Sequence, residues 1–180
     1  VLDFFSYHNC SDYNLNCLVF QMLQFFVICC KMKYKMDLNC YKVTKILIKK
    51  KLSVSFMESC TGGLLASMLT DTEGASSVFK GSLVTYSNEM KIAAGVPEKV
   101  ISTYGVYSAE CARAMAQRCQ TIYGTHLAVG ITGTTGNVDP DNEDSVTGSV
   151  YFCIRIEDKS HDFHIKENVS GLSRKKIKQL

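Results

Sequence analysis

One stretch, residues 53–66 (SVSFMESCTGGLLA), constrains the fold of this chain more than any other. A short apolar run leads into Glu58, Ser59 and Cys60, and then into two glycines and an amphipathic segment. This order predicts a strand, a tight turn and a helix. In α/β proteins such turns lie at the carboxyl edge of the sheet, where ligands bind. We therefore expect functional side chains in this turn.

Hydrophobic periodicity and capping residues divide the chain after residue 36 into alternating helices and strands. Asp37 or Asn39, Ser87 or Asn88, and Ser108 are the expected helix caps. This order of elements favours the α/β class, as a three-layer α/β/α sandwich with a mixed sheet. The predicted elements are helix 37–51, strand 53–57, helix 61–69, strand 79–86, helices 89–94, 97–103 and 109–123, strand 127–131, a hairpin of 149–156 and 161–168, and a last helix from 171.

The chain has 180 residues, a length that indicates one domain, and we assign that domain to residues 37–180 with its last helix truncated. Residues 1–36 differ in composition, since they hold five of the nine phenylalanines and four cysteines but no glycine or proline. This extension has three interpretations: an extra helix that covers the domain, a membrane-associated leader, or a translated upstream region that is not native.

Composition excludes several classes of protein. The net charge of +3 is too small to indicate a nucleic-acid partner, and the basic clusters at 31–51 and 174–178 are interpreted as solvated helix faces. The apolar run at 17–30 is short for a membrane span, so we expect no membrane partner. Nine cysteines without a C-x-x-C pair are typical of a reducing, cytoplasmic protein without a zinc site.

Ser59 and Cys60 are rival nucleophiles in the turn. A nucleophile needs an exposed, fixed position, oxyanion donors beside it and a base within reach, and this turn supplies the first two. The competing interpretation makes Ser59 a helix cap. Cys60 is either a thiol activated by the helix N-terminus or a core residue. No histidine lies near either one in the sequence, which weakens the case for Ser-His-Asp chemistry.

A second polar stretch, residues 85–91 (TYSNEMK), ends one strand and enters a helix. Tyr86 and Lys91 lie five residues apart across that boundary. A lysine can lower the pKa of a neighbouring phenol by its charge, and a desolvated lysine can itself act as a base. Two turns at one sheet edge would bring Ser59, Tyr86 and Lys91 together. The competing interpretation is a strand end with an exposed lysine.

A third stretch, residues 132–137 (TGTTGN), follows the strand at 127–131 and opens a long loop to Gly148. Its glycines let the backbone approach a ligand, and its hydroxyls can hold a phosphate or a carbonyl oxygen. The acids that follow depart from the calcium-loop pattern. We interpret them as a solvated loop: Asp139, Asp141, Glu143 and Asp144.

These stretches together resemble the CinA carboxy-terminal domain, a family also called the PncC-type nicotinamide-nucleotide amidohydrolases. The resemblance runs from about Lys42 to Arg174. One departure is in the loop, where the family often has Thr-Gly-x-Ala-Gly-Pro-x-Gly and this chain lacks the proline and the later glycine. The matching segments occur in the family's order: 58–63 (ESCTGG), 81–91 (GSLVTYSNEMK), 105–108 (GVYS), 130–133 (GITG) and 148–152 (GSVYF).

The resemblance implies hydrolysis of the carboxamide of nicotinamide mononucleotide to nicotinic acid mononucleotide and ammonia. By motif match, Ser59 is the nucleophile, and Tyr86 and Lys91 are its activating pair. The resemblance implies no cofactor and no metal, a small-molecule nucleotide substrate, and a homo-oligomer. It implies substrate contacts from three regions of the chain: Thr61, Gly62 and Gly63 in the turn, Thr132 and Gly133 in the loop, and Arg174.

One alternative function stays open. A non-catalytic domain that binds a nucleotide or a protein, in a competence or DNA-damage response, could use the same fold. Such a domain has no need to keep Ser59, Tyr86 and Lys91 together. The role of Glu58 is not assigned by these motifs, and we expect it to brace the turn by accepting hydrogen bonds.

Overall fold

A computed structural model describes residues 33–136, 139, 142 and 145–177. The expectations for residues 1–32 lie outside this range. The elements, in chain order, are α1 (Lys33–Lys50), β1 (Val54–Glu58), α2 (Leu64–Thr70), a 3-10 turn (Ala75–Ser77), β2 (Phe79–Val84), α3 (Asn88–Ala93), α4 (Glu98–Tyr104), α5 (Ala109–Tyr123), β3 (Leu127–Thr134), β4 (Ser149–Ile156), β5 (Lys159–Lys166) and α6 (Arg174–Ile177).

The five strands form one mixed sheet in the order β2-β1-β3-β4-β5. Strand β1 pairs in parallel with both β2 and β3, and β4 pairs antiparallel with both β3 and β5. Glu58, the last residue of β1, lies beside Val84 of β2 and Ile131 of β3. The carboxyl ends of the three parallel strands therefore meet at one edge of the sheet.

Helices cover both faces of the sheet, as a three-layer sandwich requires. On one face, Phe56 of β1 and Val129 of β3 pack with residues of α1 and α2. On the other face, Met57 and Ala128 pack with the buried side of α5. Neighbouring residues of a strand point to opposite faces, so each strand contributes to both cores. The predicted fold class is confirmed.

Helix α5 lies directly on β3. A Cβ atom placed on Gly130 would be 2.2 Å from the backbone oxygen of Ala112 and 2.5 Å from the backbone nitrogen of Ala116. Both neighbours are backbone atoms of α5, which cannot move aside as a side chain can. The glycine is therefore required by close packing, and it sets the distance of α5 from the sheet.

Several predicted boundaries are wrong. Helix α2 begins at Leu64 rather than at residue 61, and α6 begins at Arg174 rather than at residue 171. Strand β2 ends at Val84 rather than at residue 86, and β5 spans Lys159–Lys166 rather than 161–168.

Helix α1 begins at Lys33, so Asp37 and Asn39 lie inside the helix and do not cap it. Strand β3 continues to Thr134, because residues 132–134 keep pairing with β4 although threonine and glycine suggested a loop. The caps at Ser87 and Ser108 are confirmed, since their side chains accept hydrogen bonds from the N–H groups of Met90 and Cys111.

Candidate active site

The buried carboxylate of Glu58 organises the turn between β1 and α2. One oxygen accepts hydrogen bonds from the Thr61 hydroxyl at 2.7 Å, the Gly63 N–H at 3.1 Å and the Leu65 N–H at 3.0 Å. The other accepts from the Ala66 N–H at 3.0 Å and the Ser82 hydroxyl at 3.2 Å. The carboxylate thus satisfies N–H groups at the start of α2 that no helical partner can reach. This confirms that Glu58 braces the turn.

The brace fixes the position of Ser59, the residue that follows Glu58. The Ser59 N–H donates to the backbone oxygen of Ile131 in β3 at 3.1 Å. Its backbone oxygen accepts from the Gly62 N–H at 3.1 Å, which closes the turn. Ser59 is only 5% exposed, so the prediction of an exposed position is wrong. The alternative that Ser59 caps α2 is also wrong, because the N-cap of that helix is Gly63. A nucleophile held from both sides by backbone hydrogen bonds loses little further freedom when a substrate binds.

Lys91 reaches Ser59 from helix α3. Its Nζ donates to Ser59 Oγ at 3.1 Å, to the backbone oxygen of Thr85 at 3.0 Å and to that of Tyr86 at 3.4 Å. The lysine is buried, with 1% of its surface exposed. These three acceptors aim the amine at the serine, and the alternative of an exposed lysine at a strand end is excluded.

The surroundings of Lys91 shift its protonation equilibrium. Burial lowers the pKa of the ammonium group, because the charged form loses hydration inside the protein. Cys111, Cys60, Asp139 and Glu89 oppose this shift, each by a smaller amount. The neutral amine therefore forms at a lower pH than in a solvated lysine, which is the direction that a general base requires.

Tyr86 contacts this pair in a different way from the one predicted. The hydrogen bond to Lys91 comes from the tyrosine's backbone oxygen, and the side chain is 55% exposed. Ser87 caps α3, so the chain turns sharply between Thr85 and the helix and brings its carbonyl groups toward Lys91. The catalytic role predicted for the phenol stays a prediction.

The glycines of the turn are already engaged. Gly62 donates its N–H to Ser59, and Gly63 donates to Glu58, as does the Thr61 hydroxyl. Both glycines have positive φ, at 62° and 94°, a conformation that glycine adopts without strain. These contacts do not favour the prediction that the glycine N–H groups hold a substrate oxyanion or phosphate. They favour a role in shaping the turn.

Thr132 and Gly133 also have structural contacts, in β3. The buried Thr132 hydroxyl donates to the backbone oxygen of Val106 at 3.0 Å. A Cβ atom on Gly133 would lie 2.5 Å from the backbone oxygen of Ser149 in β4. The close approach predicted for this glycine is therefore made to a neighbouring strand. Arg174 is the first residue of α6, and its predicted contact with substrate stays a prediction.

The rival nucleophile, Cys60, and two histidines of the domain, His126 and His164, have contacts that indicate structural roles. Cys60 is 4% exposed and belongs to the core cluster between the sheet and helices α1 and α2. His126 Nδ1 lies 2.7 Å from the hydroxyl of Ser53, and His164 Nε2 lies 2.7 Å from that of Ser149. Lys91 is thus the basic side chain that meets Ser59 in the described part of the chain.

The long loop also reaches this site. The Asp139 carboxylate accepts hydrogen bonds from the hydroxyl of Tyr107 and from the side-chain amide of Asn142, the latter at 2.7 Å. Asn142 in turn accepts from the side-chain amide of Asn88 in α3 at 3.0 Å. The interpretation of Asp139 as part of a solvated loop is therefore wrong. Asp141, Glu143 and Asp144 lie outside the described residues.

Three buried threonine hydroxyls near this sheet edge make no hydrogen bond within the described residues: those of Thr85, Thr134 and Thr135. Each residue is at most 6% exposed. A buried hydroxyl without a partner is costly, so a polar ligand that paired with it would gain affinity. The sequence predicted ligand contacts for the hydroxyls of residues 132–137, which include Thr134 and Thr135, but it indicated none for the hydroxyl of Thr85.

The chemistry open to this site is nucleophilic attack by a serine with a lysine as its base. Among residues 33–136, 139, 142 and 145–177, no group of three or more His, Cys, Asp or Glu side chains could hold a metal ion. Within the same residues, no helix combines the length and the apolarity that crossing a bilayer demands. The buried hydrogen bond between Lys91 and Ser59 is the feature of the described residues on which this chemistry would depend.

Comparison with known proteins places the chain in a family. Residues 39–180 match the family model of the CinA C-terminal domain. A "Protein MG115 homolog" of Mycoplasma pneumoniae is 37% identical over 77% of this chain and 86% of its own length. A "Putative competence-damage inducible protein" of Alkaliphilus oremlandii is 42% identical over 77% of this chain but only 33% of its own length.

A solved structure agrees with these matches. The competence/damage inducible protein CihA of Agrobacterium tumefaciens superposes with a TM-score of 0.70 at 27% identity, over 78% of this chain and 84% of that protein. Several relatives are longer, so that the chain spans a quarter to a third of their length. The match over most of the chain shows that this protein belongs to the CinA C-terminal domain family.

Proposed function

We propose that this domain hydrolyses the carboxamide of nicotinamide mononucleotide, giving nicotinic acid mononucleotide and ammonia. The observation that carries the proposal is the 3.1 Å hydrogen bond between Lys91 Nζ and Ser59 Oγ. A buried lysine with a lowered pKa beside a fixed serine is the arrangement that activates a hydroxyl nucleophile. The choice of substrate rests on the resemblance to the amidohydrolase family.

The reaction proceeds in two halves. Neutral Lys91 takes the proton of Ser59 Oγ as this oxygen attacks the carboxamide carbon. The tetrahedral intermediate collapses with cleavage of the C–N bond, and the ammonium group of Lys91 returns the proton to the departing nitrogen, which leaves as ammonia. Water then attacks the Ser59 ester with Lys91 again as base, which releases the carboxylate and restores the serine.

We propose that the backbone N–H of Thr61, in the turn after Ser59, donates a hydrogen bond to the negatively charged oxygen of the tetrahedral intermediate. The N–H groups of Gly62 and Gly63 donate within the protein. A donor fixed by the Glu58 brace needs no reorganisation as negative charge develops on the carbonyl oxygen. The Tyr86 carbonyl helps to aim Lys91, and Tyr86 itself is exposed.

Ammonia release from nicotinamide mononucleotide tests this function. The parent protein should turn over, whereas Ser59→Ala and Lys91→Met should each lose about a thousandfold or more. Asp71→Asn is a suitable control, because this exposed residue caps the far end of α2. Turnover that survives in Ser59→Ala would contradict the serine mechanism.

The alternative is a binding domain without catalysis. A relative named as a competence-damage inducible protein is compatible with this alternative, because that name states no enzymatic activity. In that case the folded parent protein would bind the nucleotide without releasing ammonia. Calorimetric titration with nicotinamide mononucleotide beside the ammonia assay separates the two functions. Binding with no turnover would favour the alternative and would leave the buried pair without a catalytic role.

A further inference from the structure

The loop after β3 holds one carboxylate, that of Asp139, in a defined position from which its charge acts on Lys91. Asp139 is held by the Tyr107 hydroxyl, which belongs to the segment before α5, and by the side chain of Asn142. Its own N–H donates to Ser145 Oγ at 2.9 Å. Two side-chain donors therefore hold one oxygen of this carboxylate in place.

The same network is tied to the helix that carries Lys91. Asn88, in the first turn of α3, donates to Asn142, and Asn142 donates to Asp139. Lys91 follows Asn88 by one helical turn. A chain of hydrogen bonds therefore connects the Asp139 carboxylate to the helix that carries Lys91.

We propose that Asp139 is a positioning residue for the Ser59–Lys91 pair, a fixed carboxylate that stabilises the ammonium form of Lys91 after the lysine has taken the serine proton. This inference rests on the proposed serine mechanism. During attack, positive charge develops on Lys91 in a buried site where water cannot stabilise it. A fixed negative charge lowers the free energy of that state without needing to accept the proton itself.

The other titratable groups that face Lys91 are weaker candidates for this role. Cys111 of α5 and Cys60 of the turn carry thiols, which are much weaker acids than a carboxyl group. Glu89 lies on the same helix as Lys91, and its carboxyl group is fully solvated, so water screens its charge. Among the described groups whose charges act on Lys91, Asp139 is the acid that combines a charge with a fixed position.

The test measures the reactivity of Ser59 without any nucleotide. A fluorophosphonate forms a bond to an activated serine, and mass spectrometry gives the labelling rate of Ser59 at each pH. In the parent protein the rate should rise with pH as Lys91 loses its proton. Asp139→Asn removes the charge and keeps the shape, so the acid limb should move to lower pH by about one unit.

The maximal labelling rate of Asp139→Asn should also fall about three- to tenfold, because a lysine of lower pKa is a weaker base. Tyr107→Phe keeps the carboxylate but removes one of its donors, so its limb should move in the same direction by less. Asp71→Asn makes the same charge change far from the site and should match the parent. An unmoved limb in Asp139→Asn, or an equal shift in Asp71→Asn, would overturn the proposal.

A second measurement keeps the inference separate from the catalytic proposal. NMR of protein with ε-¹³C-lysine, with the Lys91 signal assigned from Lys91→Arg, reads the pKa of this lysine directly. Asp139→Asn should lower that pKa, and an unchanged value would overturn the role of Asp139. A parent protein that labels at Ser59 but releases no ammonia would refute the proposed substrate and leave the role of Asp139 standing.

Discussion

Lys91 Nζ lies 3.1 Å from Ser59 Oγ, although 32 residues of sequence separate the two. The parallel pairing of β1 with β2 produces this contact, because both strands deliver their following turns to the same edge of the sheet. The Glu58 carboxylate fixes the first turn, and the carbonyl groups of Thr85 and Tyr86 aim the lysine. The position of the pair therefore follows from the sheet.

The pH dependence of turnover should report the burial of Lys91. Burial lowers the pKa of this lysine, so its neutral, base-competent form is populated at a lower pH than in a solvated lysine. The rate should rise with increasing pH through this lowered pKa and level off above it. A profile of ammonia release against pH measures the midpoint of this rise. A midpoint at or above the pKa of free lysine would contradict the effect of burial.

The pH dependence of stability should report the same group. The unfolded chain holds its proton on Lys91 up to the ordinary pKa, whereas the folded chain loses it earlier. Between these two values the unfolded state binds more protons, so the free energy of unfolding rises with pH. We expect urea unfolding across this range to show that the free energy of unfolding of the parent, minus that of Lys91→Met, increases as pH rises. A difference that stays constant with pH would contradict the lowered pKa.

Replacing Glu58 should destabilise the domain more than replacing one of its donors. Glu58→Gln exchanges a charged acceptor of five hydrogen bonds for an amide that brings N–H groups against N–H groups, and we expect a loss of about 3 kcal/mol. Ser82→Ala removes one of those five donors and should cost about 1 kcal/mol. Urea denaturation measures both, and equal losses would contradict the bracing role.

Gly130→Ala should destabilise the fold through steric contact with α5. The new methyl group would meet backbone atoms of Ala112 and Ala116, so the helix must shift, at a cost of about 3 kcal/mol. Gly124→Ala is the matched control. It meets no atom within 4 Å, and the strain at its φ of 59° should cost about 1 kcal/mol. Thermal unfolding that ranks the two variants the other way would contradict this packing.

The sequence predicted those features that depend on local chemistry or on strand direction. Ser108 was identifiable as a cap because a serine before an amphipathic segment accepts the free N–H groups at a helix start. The meeting of Ser59 with Lys91 was predictable because parallel strands end at one edge. The bracing role of Glu58 was predictable for a different reason, because a carboxylate before a helix start faces several N–H donors.

Two other features depended on contacts between distant segments, and a third on the geometry of one turn. Thr132 and Gly133 suggested a loop by composition, but pairing with β4 carries the strand through them. In the sequence, Asp139 is one acid among several, and only its contacts with Tyr107 and Asn142 distinguish it. No local pattern indicates that a carbonyl of Tyr86, rather than its phenol, would contact Lys91. Contacts between distant segments decided the first two cases, whereas the contact between Tyr86 and Lys91 spans five residues and depends on the turn before α3.

Detection of the covalent intermediate tests the serine mechanism most directly. The protein is mixed with nicotinamide mononucleotide, quenched in acid and digested, and the peptide that carries Ser59 is weighed by mass spectrometry. We expect that peptide to gain the mass of the nucleotide minus ammonia, with no such gain in Ser59→Ala or Lys91→Met. Ammonia release in the parent without any adduct on Ser59, or an adduct that persists in Lys91→Met, would contradict the mechanism.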